Sequence, residues 1–258
     1  MNTAPSLSQT AARLMLGFVL VGSSGCDDAP PPKNPFDPSP SATVKPPPVT
    51  EAPKPEGPPQ IEVDSLSPKV GFTRVLLDKP NGKDKLAEEI TANKSHFSGK
   101  DVKIKADRKA KPSWVVAVVQ QLGQAGAETI TIETETRKEY PQSVTFTPQS
   151  LVTSPAACSV VAMVREDRGT AVWKLSGGMA FKRTRGFAGP DLTMTGETIE
   201  RLAKGCKSSE SIFLAADEVI EWGLLYDLAA STQRLEDARF DKVVLLRDVP
   251  TAGREVRL

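Results

Sequence analysis

The stretch VKIKADRKAKPSWVVAVVQQLGQAGAETITIETE, residues 102–135, holds the pattern from which the fold can be read. Val102, Ile104 and Ala106 alternate with Lys103, Lys105 and Asp107, the period of two expected of a half-buried strand. Pro112 suits the first position of a helix, where a missing N–H costs nothing. Trp114, Val115, Val118, Val119 and Leu122 then lay an apolar stripe along one side of that helix. Gly123 and Gly126 end it, and Thr129–Thr134 alternates again as a second strand. Strand, helix, strand is a βαβ-type unit, so the chain is predicted to be α/β.

Toward the amino end, Ile61-Glu62-Val63-Asp64 alternates, Val70–Leu77 reads as extended, and Gly82–Asn93 reads as a helix with Leu86, Ala87 and Ile90 on one face. Toward the carboxyl end the pattern returns. Ser159–Val164 and Thr170–Leu175 are strands around a Glu166–Gly169 turn, and Gly196–Cys206 is helical. Ser211–Asp217 is a strand, Trp222–Ala230 a helix and Lys242–Leu246 a final strand. Ile104-Lys105-Ala106-Asp107 before Trp114 matches Leu214-Ala215-Ala216-Asp217 before Trp222, with Asp-to-Trp gaps of seven and five. A divergent tandem repeat is expected. The predicted fold is two small α/β (α+β) modules with helices on a mixed sheet. Module 1 covers 61–137, a polar joint 138–157, and module 2 158–258.

Ahead of the modules the composition changes. Thirteen of the 22 prolines lie between Asp27 and Gln60. Proline fixes φ and removes a backbone donor, so this segment is predicted to be a polyproline II spacer reaching about 100 Å. Before it, Arg13 precedes the nine-residue apolar run Leu14–Gly22. That run is too short to span a bilayer and has the make-up of a secretory signal peptide, assigned to 1–25. Ser23-Ser24-Gly25-Cys26 resembles a bacterial lipobox, which predicts lipidation of Cys26 and a lipid-anchored linker over 26–60. Ser23 stands where that motif usually has an aliphatic residue, and cleavage by ordinary signal peptidase would leave Cys26 a free thiol. The expected location is the cell envelope, anchored by lipid and facing the periplasm. Asp27 resembles the inner-membrane retention signal of enteric bacteria.

The chain of 258 residues has 33 Lys+Arg and 32 Asp+Glu. Loss of Arg13 with the signal peptide would make it formally neutral, which argues against nucleic acid as a partner and leaves acyl chains as the membrane hold. Three Cys and one His exclude a multi-disulfide scaffold and a zinc site of His and Cys pairs. With Cys26 assigned to lipid, Cys158 and Cys206 are expected to pair as a disulfide in an exported protein, two buried free thiols being the alternative.

The segments 102–135 and IFLAADEVIEWGLLYDLAA…FDKVVLLRD (212–248) resemble the periplasmic domain of the ExbD/TolR family, as two copies within Ile61–Val249. The resemblance implies a non-enzymatic role in protein recognition within a transport or motor system. Implied partners are ExbB/TolQ-type or TonB-like envelope proteins, or other copies of the chain. Family members carry an N-terminal membrane helix with a proton-coupling Asp, whereas Leu14–Gly22 contains no acid. Proton coupling is therefore not carried over. A peptidoglycan-binding structural lipoprotein and an exported enzyme are the rival readings.

No catalytic residue, cofactor or metal site is expected. Asp107 and Asp217 end strands before helices, where they are predicted to cap free N–H groups. Glu218 and Glu221 beside Asp217 have no His or Cys nearby to complete a metal or acid/base site. His96 is predicted in a solvated loop, and Lys182, Arg183 and Arg185 form an exposed basic cluster able to touch an anionic glycan or a partner. Trp114, Trp222 and Tyr226 are assigned to the core.

Overall fold

A computed structural model of the chain describes residues 57–187, 189–206, 211–235 and 240–258. The signal peptide, Cys26 and most of the Pro-rich linker lie outside these residues.

The first half opens with β1 (Ile61–Val63), an antiparallel hairpin of β2 (Pro68–Val70) and β3 (Thr73–Arg74), and helix α1 (Gly82–Ala92). A short helix, α2 (Lys94–Phe97), leads into β4 (Asp101–Ala106), α3 (Pro112–Gln124) and β5 (Thr129–Glu133). β1, β4 and β5 are parallel, with Ile61 opposite Ile104 and Ile104 opposite Ile132. Apolar alternation on these strands turns one face of the sheet onto the helices. Gly126, at a φ of 95°, ends α3 in the left-handed region that glycine tolerates.

Within 138–157, the predicted joint, β6 (Ser143–Phe146) pairs antiparallel with β5 and completes a sheet of order β3-β2-β1-β4-β5-β6. Val144 and Phe146 are fully buried, so this segment adds to the core instead of spacing two modules apart. A 3-10 turn at Gln149–Leu151 follows.

The second half repeats the plan. β7 (Val160–Val164), β8 (Thr170–Lys174) and β9 (Phe181–Arg183) form an antiparallel meander, and β10 (Arg185–Gly186) and β11 (Gly189–Pro190) a small hairpin. Then come α4 (Leu192–Lys204), β12 (Ser211–Ala216), α5 (Trp222–Thr232) and β13 (Lys242–Leu245). The sheet order is β13-β12-β7-β8-β9, the mirror listing of β3-β2-β1-β4-β5. Helix α4 starts four residues before the predicted Gly196 because Asp191 caps it, its carboxylate accepting the Met194 N–H at 3.0 Å.

Register fixes how the repeats correspond. β4 and β12 are both six residues long, and the loops Asp107–Lys111 and Asp217–Glu221 are equal in length. The Asp107 N–H donates to Val63 at 2.8 Å, and the Asp217 N–H to Val164 at 3.0 Å. Pro112 and Trp222 therefore open equivalent helices. The two tryptophans are not counterparts, since Trp114 falls where the second half has Leu224.

The two sheets differ on the side away from the helices. In β4, Asp101, Lys103 and Lys105 are exposed there, as alternation requires. β12 is buried throughout, and so is β7. Its second face (Val161, Met163, Trp173, Phe213) is covered by the irregular segment 249–258, from which Ala252 and Val256 pack inward. The Trp173 indole N–H donates to the Arg254 carbonyl at 3.0 Å, and the Val256 N–H to Leu175 at 2.9 Å.

The halves close into one compact unit. Buried residues of α1, α3, α4 and α5 and of both sheets share a single apolar cluster. β6 lies beside β13, where the Thr147 N–H donates to the Val243 carbonyl at 2.9 Å. No helix among the described residues is long and apolar enough to cross a membrane.

Candidate functional site

Glu221, the residue before helix α5, gives it no side-chain cap. The first free N–H groups of the helix are instead closed by the first half: Trp222 donates to the Ala110 carbonyl and Gly223 to that of Arg108, each at 2.8 Å. The Arg108 guanidinium then reaches over α5 and makes a two-pronged pair with the Asp227 carboxylate, at 2.9 and 2.8 Å. Asp227 is 2% exposed and also accepts from the Thr136 hydroxyl at 2.9 Å. Arg108 donates further to the Glu135 carbonyl, so its charge is held by hydrogen bonds on both sides. The Asp227 carboxylate raises the Arg108 pKa above its ordinary value. The Trp222 indole N–H donates to Thr134, and the Tyr226 hydroxyl to the Pro141 carbonyl. Burial, aided by the charge of Asp227, pushes the Tyr226 hydroxyl well above its usual pKa.

This junction sets α3 of the first half against the carboxyl ends of β12 and β13 in the second, leaving a groove of about 480 Å³. One wall is α3 along its whole length, from Pro112 and Ser113 through Val116 and Ala117 to Gln121 and Gln124. The facing wall is made by Ala215, Ala216, Leu225 and Leu246. Lys83, Glu218, Arg247 and Asp248 also line the groove, and Arg247 Nε donates to Asp248 at 3.1 Å. Gln120 turns inward to the Leu245 carbonyl at 3.1 Å, tying α3 to β13. Val249, which also lines the groove, is an exposed apolar side chain.

The residues singled out in the sequence do not gather in this groove, Glu218 excepted. Cys158 and Cys206 lie at disulfide-bonding distance, with Cα atoms 5.4 Å apart, tying the start of β7 to the end of α4. Asp107 and Asp217 do not cap helices. The Asp107 carboxylate accepts the Lys109 N–H within its own loop, at 2.7 Å, and that of Asp217 accepts the Glu166 N–H, at 2.6 Å. In each case the extended residue before the helix (Lys111, Glu221) separates the Asp from the free N–H groups. His96 is half-buried in the short helix α2. Lys182 and Arg185 are exposed, while Arg183 reaches back to the Thr198 hydroxyl at 3.1 Å. Trp114, Trp222 and Tyr226 are core side chains, as expected.

Sequence reasoning missed Arg108 and Asp227, which are 119 positions apart. One local signal was available, a lone carboxylate inside the otherwise apolar run of α5, which is unusual without a partner. Comparison with family models, curated proteins and solved structures finds no match for this chain.

Proposed function

We propose that this is a non-enzymatic, lipid-anchored envelope protein that recognises other envelope proteins through two ExbD/TolR-like halves. The observation carrying this reading is the duplicated topology itself. Two copies of one α/β unit, each with an outer strand (β3 and β9) that pairs on one side only among the described residues, are fused into one body. A free sheet edge offers backbone donors and acceptors to an extended partner strand. Exposed apolar side chains support a contact role, among them Phe72 at 84% on the β2–β3 turn and Met179 at 75% on the β8–β9 connection. On this reading Cys26 carries the acyl chains and the Pro-rich segment sets the distance from the membrane. ExbB/TolQ-type and TonB-like proteins are the proposed partners.

Crosslinking in intact cells followed by purification from membranes tests it. Enrichment of motor-type envelope proteins supports the reading, and recovery of none overturns it. Co-sedimentation with purified sacculi, with no protein recovered, would favour a peptidoglycan-binding role instead.

A further inference from the structure

Strand β9 is the outer strand of the second sheet, and its backbone groups can be placed one by one. The Leu175 N–H donates to Ser159 at 2.7 Å and the Arg165 N–H to Gly169 at 2.8 Å. Antiparallel pairing alternates, so Ala171 and Trp173 between them also turn their backbone groups toward β7. Thr170 and Val172 therefore turn theirs toward β9, where they stand opposite Arg183 and Phe181. By the same alternation the N–H and C=O of Lys182 point to the open side, with no partner among the described residues.

The side chains along this edge carry one sign of charge. From Thr170 to Pro190 the sequence holds Lys174, Lys182, Arg183 and Arg185 and no acid. Lys182 and Arg185 are exposed, and Arg183 donates to the neutral Thr198 hydroxyl. Arg201, exposed on α4, lies over the Phe181 ring at 4.6 Å. Lys182, Arg183, Arg185 and Arg201 pair with no carboxylate among the described residues, whereas Arg74, Arg108, Arg165 and Arg247 each do. The α4 acids Glu197 and Glu200 line a separate hollow with Tyr140 and Arg234. Lys182 projects from one face of the sheet and Phe181 and Arg183 from the other, so cations border the edge on both sides. A second β9 brought against this one would set cation against cation, which disfavours pairing between copies.

We propose that the open edge of β9 takes up an extended, acidic segment of a partner protein as an added strand. The proposal rests on the protein-recognition reading and names the partner's chemistry. Lys182 exchanges backbone hydrogen bonds with the segment. Carboxylates of the segment meet Lys182 on one face, Arg183 and Arg201 on the other, and Arg185 beyond the end of the strand.

A labelled decapeptide alternating glutamate with threonine, titrated into the full chain in detergent and followed by fluorescence anisotropy, tests it. That peptide is expected to bind, and versions with lysine or glutamine in place of glutamate are not. Reversing both exposed cations, Lys182→Glu with Arg185→Glu, should weaken binding by about tenfold or more. Lys79→Glu with Lys94→Glu makes the same change of net charge at exposed positions of the first half and should leave binding unchanged. If the reversed protein fails to fold, Arg201→Gln should show a smaller loss of the same kind. The glutamate peptide N-methylated at every residue keeps its charges without backbone donors, and should also bind about tenfold more weakly or worse. No binding of the glutamate peptide, equal binding of its N-methylated form, or undiminished binding to the double reversal would overturn the proposal. Phosphatidylglycerol vesicles that hold the chain through Lys182 and Arg185 while the peptide does not bind would overturn it too, by making a lipid surface the occupant. Crosslinked envelope proteins recovered equally by the double reversal would sink the β9 site alone. Recovery of none by the unaltered chain would sink the recognition reading.

Discussion

The guanidinium of Arg108, in the loop after β4, grips the carboxylate of Asp227, in the second turn of α5, through two hydrogen bonds of 2.9 and 2.8 Å. One partner is 2% exposed and the other 31%. The pair bridges the halves, and its two members are not equally replaceable.

Arg108→Met leaves a buried carboxylate with only Thr136 and no counter-charge. Breaking a buried pair from one side costs about 3–5 kcal/mol, which for a chain of this size lowers the melting midpoint by about 10 °C. Asp227→Leu should cost less, because the freed guanidinium is partly in water and keeps Glu135. Combining both substitutions should recover stability relative to Arg108→Met alone. Calorimetry on the four proteins checks the order.

Gly223 is glycine because Arg108 crosses it. A Cβ there would meet the Arg108 side chain at 2.9 Å. Gly223→Ala should push the guanidinium off Asp227 and cost about 1–3 kcal/mol. In an Arg108→Met background the part of that cost that comes from displacing the guanidinium should vanish while the clash with the Cβ of residue 108 remains, so the two effects will not add fully. Additive denaturation midpoints would contradict this account.

The Cys158–Cys206 pair spans 48 residues and closes β7, β8 and α4 into one loop. In the chain-entropy model such a link contributes about 4 kcal/mol. Treatment with reductant should lower the unfolding midpoint, and Cys158→Ser should reproduce the fall without reductant. Intact-mass measurement after alkylation should show neither thiol modified in the unreduced native protein.

Acid sensitivity has an identifiable source in the first hairpin. The Arg74 guanidinium, with the Leu66 and Ser67 N–H groups, holds the Asp64 carboxyl well below the usual carboxylate range. A depressed folded-state pKa stabilises above the unfolded value near 4 and loses its effect as pH falls through the folded value. Both side chains are more than a third exposed, so solvent screens the pair and its contribution to stability is small. Arg74→Ala should therefore move the Asp64 carboxyl titration upward by NMR and shift acid unfolding slightly to higher pH. An unmoved titration would remove Arg74 from the explanation.

Much of the fold is legible from periodicity, because β4, α3 and β5 bury one clean face and their alternation is undisturbed. β6 is harder to read. Its four residues sit among prolines, and its burial depends on β5 and on the second half. The run Ile212–Ala216 in β12, apolar on both faces, shows that both are covered, but not that the irregular segment 249–258 covers one of them. The equivalence of the tryptophans misleads because aromatic identity is a weaker guide than loop length. The groove is the least legible feature, since its walls come from elements far apart in the chain and are brought together by long-range contacts such as those of Arg108 with Asp227 and of Gln120 with Leu245.

The use of Arg108 and Ala110 carbonyls to finish α5 has a kinetic consequence. A helix whose first N–H groups lack partners is slow to nucleate and quick to fray. Synthesis runs from the amino end, so the loop after β4 is in place before Trp222 is added. The first half can thus act as a template on which the second completes its last helix. Folding of this chain should be vectorial: 57–151 able to collapse early, and 158–258 waiting on it.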